Sequence, residues 1–142
     1  MNAEIQIRAA QAKDADDLFQ LAKEFATSFA ARKSAFEVSF KRLLATSDAC
    51  VAIAECEEKI IGYILGFDHD TFYANGRVAW TEEIMVHTDF RRKGIGKSLM
   101  EHFEKWARAR DAKLIALATR RAASFYKSIG YEESAVYFRK LL

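Results

Sequence analysis

The stretch IMVHTDFRRKGIGKSLM, residues 84–100, decides how the rest of the chain is read. It starts on the apolar end of a strand at Ile84, Met85 and Val86, turns through a segment rich in arginine and glycine, and enters an amphipathic helix at Gly94. Glycines at 94 and 96 let backbone come close to an anion. The free N–H groups and positive dipole end of a first helical turn attract negative charge, and Arg91, Arg92, Lys93 and Lys97 add cations around the same point. The arrangement predicts a site for a phosphorylated cofactor. Two other phosphate motifs fail residue by residue: Gly96-Lys97-Ser98 ends like a P-loop, but Arg91 stands where that loop needs glycine, and Leu99 stands where the dinucleotide fingerprint needs its third.

Working outward, residues 78–86 form a long strand after a loop at 70–77. Before it, residues 50–56 and 60–68 are apolar, β-prone runs joined by Glu57, Glu58 and Lys59, which predicts an antiparallel hairpin. Residues 4–8 read as a short first strand. Asp14 is placed to cap a helix carrying Leu18, Leu21, Ala22, Phe25 and Phe29 on one face, and a second helix repeats that spacing at Phe36, Phe40, Leu43 and Leu44. Downstream, a helix over 94–111 buries Ile95, Leu99, Phe103, Trp106 and Ala107; a brief strand follows at 114–118, a short helix at 121–129 and a closing β segment at 131–142. The order β-α-α-β-β-β-α-β-α-β describes a single α/β domain over residues 1–142, a mixed sheet flanked by helices.

Composition agrees with one such domain. The chain has 142 residues, 51% hydrophobic and 30% charged, enough for one core and too few for two ordinary domains. A net charge of +2 does not describe a general nucleic-acid binder, and the basic cluster lacks a row of stacking aromatics. No stretch approaches the roughly 20 apolar residues of a membrane helix and the N-terminus has no signal-peptide core, so a cytoplasmic location is expected. Cys50 and Cys56, on one strand at about 3.3 Å per residue, are too far apart for a disulfide and read as core side chains. Three histidines without H-x-H or C-x-x-C spacing predict no metal site.

Residues 86–96, VHTDFRRKGIG, resemble the V-x-P-x-x-R-x-x-G-x-G signature of the GNAT superfamily of acyl-CoA-dependent N-acetyltransferases, and residues 122–131, AASFYKSIGY, resemble its second signature, A-x-x-(F/L)-Y-x-x-x-G-(F/Y). Spacing and element order match along nearly the whole chain. The resemblance implies a GNAT-like fold and acetyl-CoA as co-substrate. Backbone groups of Ile84, Met85 and Val86 would pair with the pantetheine arm, in a gap where neighbouring strands diverge. The amides from Arg92 through Lys93, Gly94, Ile95 and Gly96 to Lys97, with the Ser98 hydroxyl, would cradle the pyrophosphate, and Arg91, Arg92 and Lys97 would meet phosphate charge.

Chemistry constrains the other roles. An amine acceptor with a pKa of about 10 must lose a proton before it attacks a thioester, so a base is required. Glu82 and Glu83 both precede the acyl-binding stretch, and in a regular strand only one faces the cleft. Glu82 shares the parity of Ile84 and Val86 and matches the position of the base in several family members, so it is preferred; a bulge would reverse the choice. Tyr126, at the second-signature tyrosine, is the candidate acid for the leaving thiolate, though a phenol of pKa about 10 protonates a thiolate of about 8.5 only uphill. A backbone N–H near Met85 or Val86 would meet the developing oxyanion.

Departures limit the carry-over. Thr88 replaces a turn proline, Thr119 stands where many relatives have a cofactor-touching asparagine, and the strand at 114–118 lacks the glutamate of the ribosomal-protein branch. Asp68, Asp70, Glu82 and Glu83 are expected to gather negative potential that favours a cationic amine. The short C-terminal segment leaves a partly open groove for a peptide or protein amine as plausible as a closed small-molecule pocket. His87 and His102 read as surface side chains, Trp106 as a packing residue, and Phe72 and Tyr73 as an acceptor-site or homodimer contact. A CoA-binding module without turnover is the alternative reading.

Overall fold

A computed structural model describes residues 4–142. The elements run β1 (Ile5–Ala9), α1 (Ala15–Phe25), α2 (Lys33–Leu44), β2 (Ala49–Cys56), β3 (Lys59–Asp70), β4 (Arg77–Val86), α3 (Ile95–Ala109), β5 (Ile115–Leu117) and α4 (Ala123–Ser128), with single 3-10 turns at Ala12–Asp14 and Thr88–Phe90. One five-stranded sheet in the order β1-β2-β3-β4-β5 carries them, antiparallel except for the last pair. The expected mixed α/β layer is present. Its predicted last strand is not: residues 131–142 adopt neither strand nor helix, because no neighbouring backbone lies along them to complete a ladder.

Helices cover both faces of the sheet, which explains why β2 and β3 are apolar at nearly every position rather than at alternate ones. On one face Leu99, Met100 and Phe103 of α3 pack with Ala52, Ala54, Ile61 and Ile64. On the other, Leu18 and Leu21 of α1 and Phe40 of α2 pack with Ile53, Ile60 and Tyr63. Cys50 and Cys56 are free and buried in β2, as core side chains; burial pushes the Cys50 thiol up to about 11. The β2–β3 turn is tighter than expected, only Glu57 and Glu58, both with positive φ.

Asp14 does not cap α1 with its side chain. Its carboxylate is buried, accepting from the Gln11 N–H at 2.7 Å and from both terminal nitrogens of Arg8 at 2.9 Å. A second buried carboxylate, Asp68, is clasped by Arg77 and Arg110, with Asp48 also on both guanidinium groups. Burial alone would raise the Asp68 carboxyl; the hydrogen bonds from the two arginines outweigh it and hold the group down at about 2. This network fastens the end of α3 to β3 and β4. It also removes Asp68 from the acceptor cleft where it was expected, and Asp70 lies exposed beside Arg77 at the same end of the sheet.

Helix α3 sits close to the sheet because Gly66 leaves room for Phe103. A Cβ at Gly66 would overlap the Phe103 ring, with the Trp80 carbonyl 3.0 Å away on a second side. Gly66→Ala is therefore expected to cost about 1–3 kcal/mol of stability. The measurement is chemical denaturation, with Phe103→Leu added to Gly66→Ala recovering part of the loss.

Candidate active site

Strands β4 and β5 are paired only from Ala79↔Ile115 to Thr81↔Leu117. Beyond Thr81, β4 continues for five residues to Val86 with β3 on one side and no strand on the other. The bond from the His87 N–H to the Ile61 carbonyl, at 2.7 Å, sets the antiparallel alternation. By that alternation the N–H and C=O of Met85 face β3, while those of Ile84 and Val86 face the gap. Of the three residues expected to meet a pantetheine arm through their backbone, two have that edge open, and the N–H able to meet an oxyanion there belongs to Val86. The carbonyl of Val86 accepts from the Arg91 Nε at 3.2 Å, so Arg91 lies along the gap.

After β4 the turn at Thr88–Phe90 leads to a run of unpaired amides. Arg91 donates back to Thr88, and the next backbone donor with an acceptor is Ser98, to Gly94 at 3.0 Å. The six N–H groups from Arg92 to Lys97 have no partner among the described residues. Arg92 and Gly94 make this possible by adopting φ of 63° and 78°, which turns the chain into α3. A Cβ at Gly94 would meet nothing, so glycine is needed there for conformation and not for space. Six open amides at the positive end of a 15-residue helix fit a pyrophosphate. Around them, exposed Arg92 makes no side-chain bond, Lys93 lies over the Phe90 ring at 5.4 Å, Lys97 reaches Glu101 at 3.9 Å, and the Ser98 hydroxyl donates to the Gly94 carbonyl. Ile95 is buried and anchors the turn. Among the described residues there is no group of three His, Cys, Asp or Glu side chains with metal-ligand geometry.

The two glutamates part company at a β-bulge. Leu65 pairs with Glu83 and Gly66 with Thr81, so Glu82 is the extra residue of β4. The bulge resets which side of the sheet each residue faces. Thr81 lies under α3, its hydroxyl 3.8 Å from the Met100 sulfur, and Ile84 and Val86 pack into the α3 cluster. Glu83 and Met85 face the opposite side, toward α1 and α2. Glu82 is exposed and makes no side-chain hydrogen bond, whereas Glu83 is half-buried and accepts a 2.7 Å bond from the Tyr63 hydroxyl. Burial lifts the Glu83 carboxyl above the ordinary carboxylate range, the Tyr63 bond pulls it partly back, and the charge of Glu82 adds to the rise. Tyr63 is itself buried, so its phenol stays protonated well above the usual range. Tyr63 falls within the apolar, β-prone run 60–68, and nothing in that run signals that it meets Glu83.

Tyr126 is 8% exposed, its ring edge-on to Phe125 and Tyr131 at 5.0 and 5.9 Å. Its hydroxyl makes no hydrogen bond among the described residues, and burial raises its pKa. The side chain belongs to the core under α3 and carries an unspent donor. Thr119, just past β5, uses its hydroxyl to accept from the Ala122 N–H at 3.1 Å and so starts α4. His87 holds the turn by accepting from the Asp89 N–H, while His102 is half-buried on α3 rather than on the surface, with burial lowering its pKa. Trp106 stacks between Phe103 and Arg110, and Phe72 and Tyr73 are exposed in the β3–β4 loop.

Residues 47–133 match the family model described as an acetyltransferase (GNAT) domain. An aminoglycoside N(6')-acetyltransferase type 1 from Acinetobacter genomosp. 13 is 33% identical over 108 residues, covering 70% of this chain and 68% of that protein. Among solved structures, glucosamine-6-phosphate N-acetyltransferase from Arabidopsis thaliana superposes with a TM-score of 0.87 at 19% identity, covering 97% of this chain and 98% of the other. Aminoglycoside N-acetyltransferase AAC(6')-Iy, solved in complex with CoA, gives the same TM-score and identity over 99% and 97%. A gap beside β4, a run of open amides at the start of α3 and a matching family model over most of the sheet agree: this chain belongs to the GNAT family of acyl-CoA-dependent N-acetyltransferases.

Proposed function

We propose that the chain moves an acetyl group from acetyl-CoA directly to a primary amine within a ternary complex, with Glu83 as the general base. The observation that carries this is the bulge at Glu82. It leaves the open edge of Ile84 and Val86 available to the thioester arm and turns the neighbouring carboxylate, Glu83, toward the face covered by α1 and α2, from which an amine would approach. The preference for Glu82 by simple alternation gives way here. Glu82 remains an exposed carboxylate at the mouth of the gap, able to attract a cationic acceptor.

In this reading the amides from Arg92 to Lys97 hold the pyrophosphate, with Arg91, Arg92, Lys93 and Lys97 supplying charge around it and Ser98 beside it. The Thr119 hydroxyl oxygen accepts from the Ala122 N–H, and its O–H stays free to donate to the cofactor. Glu83 takes the proton of the attacking ammonium, directly or through water; its raised pKa brings it nearer that of the donor than an ordinary carboxylate, which eases the transfer. The N–H of Val86 meets the oxyanion. Tyr126 donates a hydrogen bond to the departing thiolate; since burial raises its pKa further, it assists by position and not by acidity. The acceptor is read as a cationic amine. One relative is named for action on aminoglycosides, so these head the panel to be assayed, followed by polyamines, amino acids and peptide N-termini.

Acetyl-CoA at 100 times its Kd should stabilise the fold by about 2.7 kcal/mol, read as a thermal shift. No shift would dismiss the cofactor site, and a shift without CoA release on any acceptor would leave a binding module. Glu83→Gln is expected to lower kcat/KM by about 10²- to 10⁴-fold and abolish the acid limb of its pH profile, with a much smaller effect from Glu82→Gln. The reverse ranking would restore Glu82. The base must be ionised, so rate rises with pH through the Glu83 pKa; Tyr63→Phe deletes the bond that lowers this pKa, and the acid limb should move to higher pH. Tyr126→Phe should reduce kcat while leaving acetyl-CoA affinity nearly unchanged, and an unaltered kcat would remove Tyr126 from the acid role.

A further inference from the structure

Burial makes the Tyr126 phenol a weaker acid than an ordinary tyrosine, so its help to a leaving thiolate depends on where its hydroxyl is held. The helix that carries it does not hold it alone. With six residues α4 is too short to be stable by itself, and the side chains at its two ends must fasten it to the body. At one end the Phe125 ring lies over Gly96, where an added Cβ would stand 3.3 Å from it. At the other, Gly130 with a φ of 100° turns the chain back, and the Tyr131 N–H donates to the Tyr126 carbonyl at 2.9 Å.

That turn brings the Tyr131 ring edge-on to the Tyr126 ring, with centroids 5.9 Å apart, while its hydroxyl donates to half-buried Glu104 on α3 at 3.0 Å. Glu104 follows Phe103, which is fully buried against Gly66, so the acceptor sits on a turn of α3 that is itself locked to β3. Burial and the Glu104 charge hold the Tyr131 phenol protonated well above the usual range, and it stays a donor at any pH near neutrality. The hydroxyl is particular to this chain. The second signature takes phenylalanine or tyrosine here, and phenylalanine would keep the ring contact without the tie to Glu104. We propose that Tyr131 and Glu104 are positioning residues for thiolate release: their hydrogen bond fixes the edge against which the Tyr126 ring rests and so aims the Tyr126 hydroxyl at the sulfur. Both act through Tyr126. When the carbon–sulfur bond breaks, its electron pair stays on sulfur and the Tyr126 O–H donates a hydrogen bond to it; no proton has to leave the phenol. A donor that works by direction weakens when its ring tilts, and the Glu104 bond prevents the tilt.

The proposal rests on the role given to Tyr126 above, and the test separates the two. CoA itself is the probe, so no acceptor is needed. A thiol with a pKa of about 8.5 gains thiolate when a hydrogen bond stabilises the ionised sulfur. The thiolate of CoA bound to the full chain is read by ultraviolet absorbance across a pH series, with bound desulfo-CoA as the blank for each variant. Tyr126→Phe should remove the gain over free CoA. Tyr131→Phe and Glu104→Ala should each lower the thiolate-to-thiol ratio by about three- to tenfold at a given pH, whereas Glu104→Gln, which keeps an acceptor for the Tyr131 hydroxyl, should stay near the unsubstituted protein. Added to Tyr126→Phe, Tyr131→Phe should change nothing further, an outcome that a general loosening of the fold would not give. CoA affinity well below the thiol pKa should be the same in every variant. If Tyr126→Phe lowers the ratio and Tyr131→Phe does not, the positioning role alone is overturned. An equal loss from Tyr131→Phe with and without Tyr126 overturns it as well. No effect of Tyr126→Phe removes the acid role of Tyr126, and the positioning role with it.

Discussion

Every backbone N–H and C=O in a sheet needs a partner, and here the requirement is left unmet on one side of β4 beyond Thr81. A strand edge in the middle of a molecule is costly to leave bare, so the structure has to keep β5 from closing on it and has to reserve the edge for something else. Two features do this. Strand β5 is only three residues long, ending where the Thr119 hydroxyl draws the chain into α4. On the other flank, Arg91 folds back onto the Val86 carbonyl and keeps that acceptor engaged by a donor a ligand can displace. The gap is thus built by terminating one strand early, and its chemistry follows from which β4 groups the register leaves pointing into it.

Holding such a gap open demands rigidity around it. Phe103 and Leu99 lock α3 against β3, and Gly66 allows the approach. At the far end, Asp68 with Arg77 and Arg110 ties α3 to β3 and β4 through buried charge. Such a network gains little net stability over an apolar cluster, but removing one member leaves an uncompensated charge, so it acts as a fixed clasp. Between these two attachments the first turn of α3 keeps a fixed relation to the end of β4, and its open amides stay aimed at one point.

Much of this was legible in the sequence. The glycines at 94 and 96, the cations around them and the tyrosine at 126 carried the turn into α3 and the family resemblance, because each is a local requirement of chain and charge. Element order was legible for the same reason: periodicity is local. What escaped depends on strand register. Alternation gave Glu82 the parity of Ile84 and Val86 and could not show that Leu65 and Gly66 would oppose Glu83 and Thr81 with a residue left over. Asp68 and Asp70 looked like cleft acids because the arginine that clasps Asp68 from α3 is 42 residues distant. The closing β segment expected at 131–142 did not form, because composition does not say whether a partner lies alongside.

On the proposed mechanism, the bulge also accounts for a carboxylate serving as the base at position 83. A glutamate on a regular strand edge in water has a pKa too low to take a proton from an ammonium with useful efficiency, while one buried without a partner stays protonated and takes none. Glu83 sits between these limits. The bulge turns it into the space beneath α1 and α2, where burial raises its pKa, and Tyr63 limits that rise with a single hydrogen bond to the ionised form. Tyr63 can do so because it is on β3 directly opposite Met85, two residues along from Glu83, and its buried phenol has no tendency to ionise. The environment of Glu83 therefore rests on the same extra residue in β4 that leaves Ile84 and Val86 facing the gap, so the proposed thioester site and the proposed proton acceptor share one irregularity in the sheet.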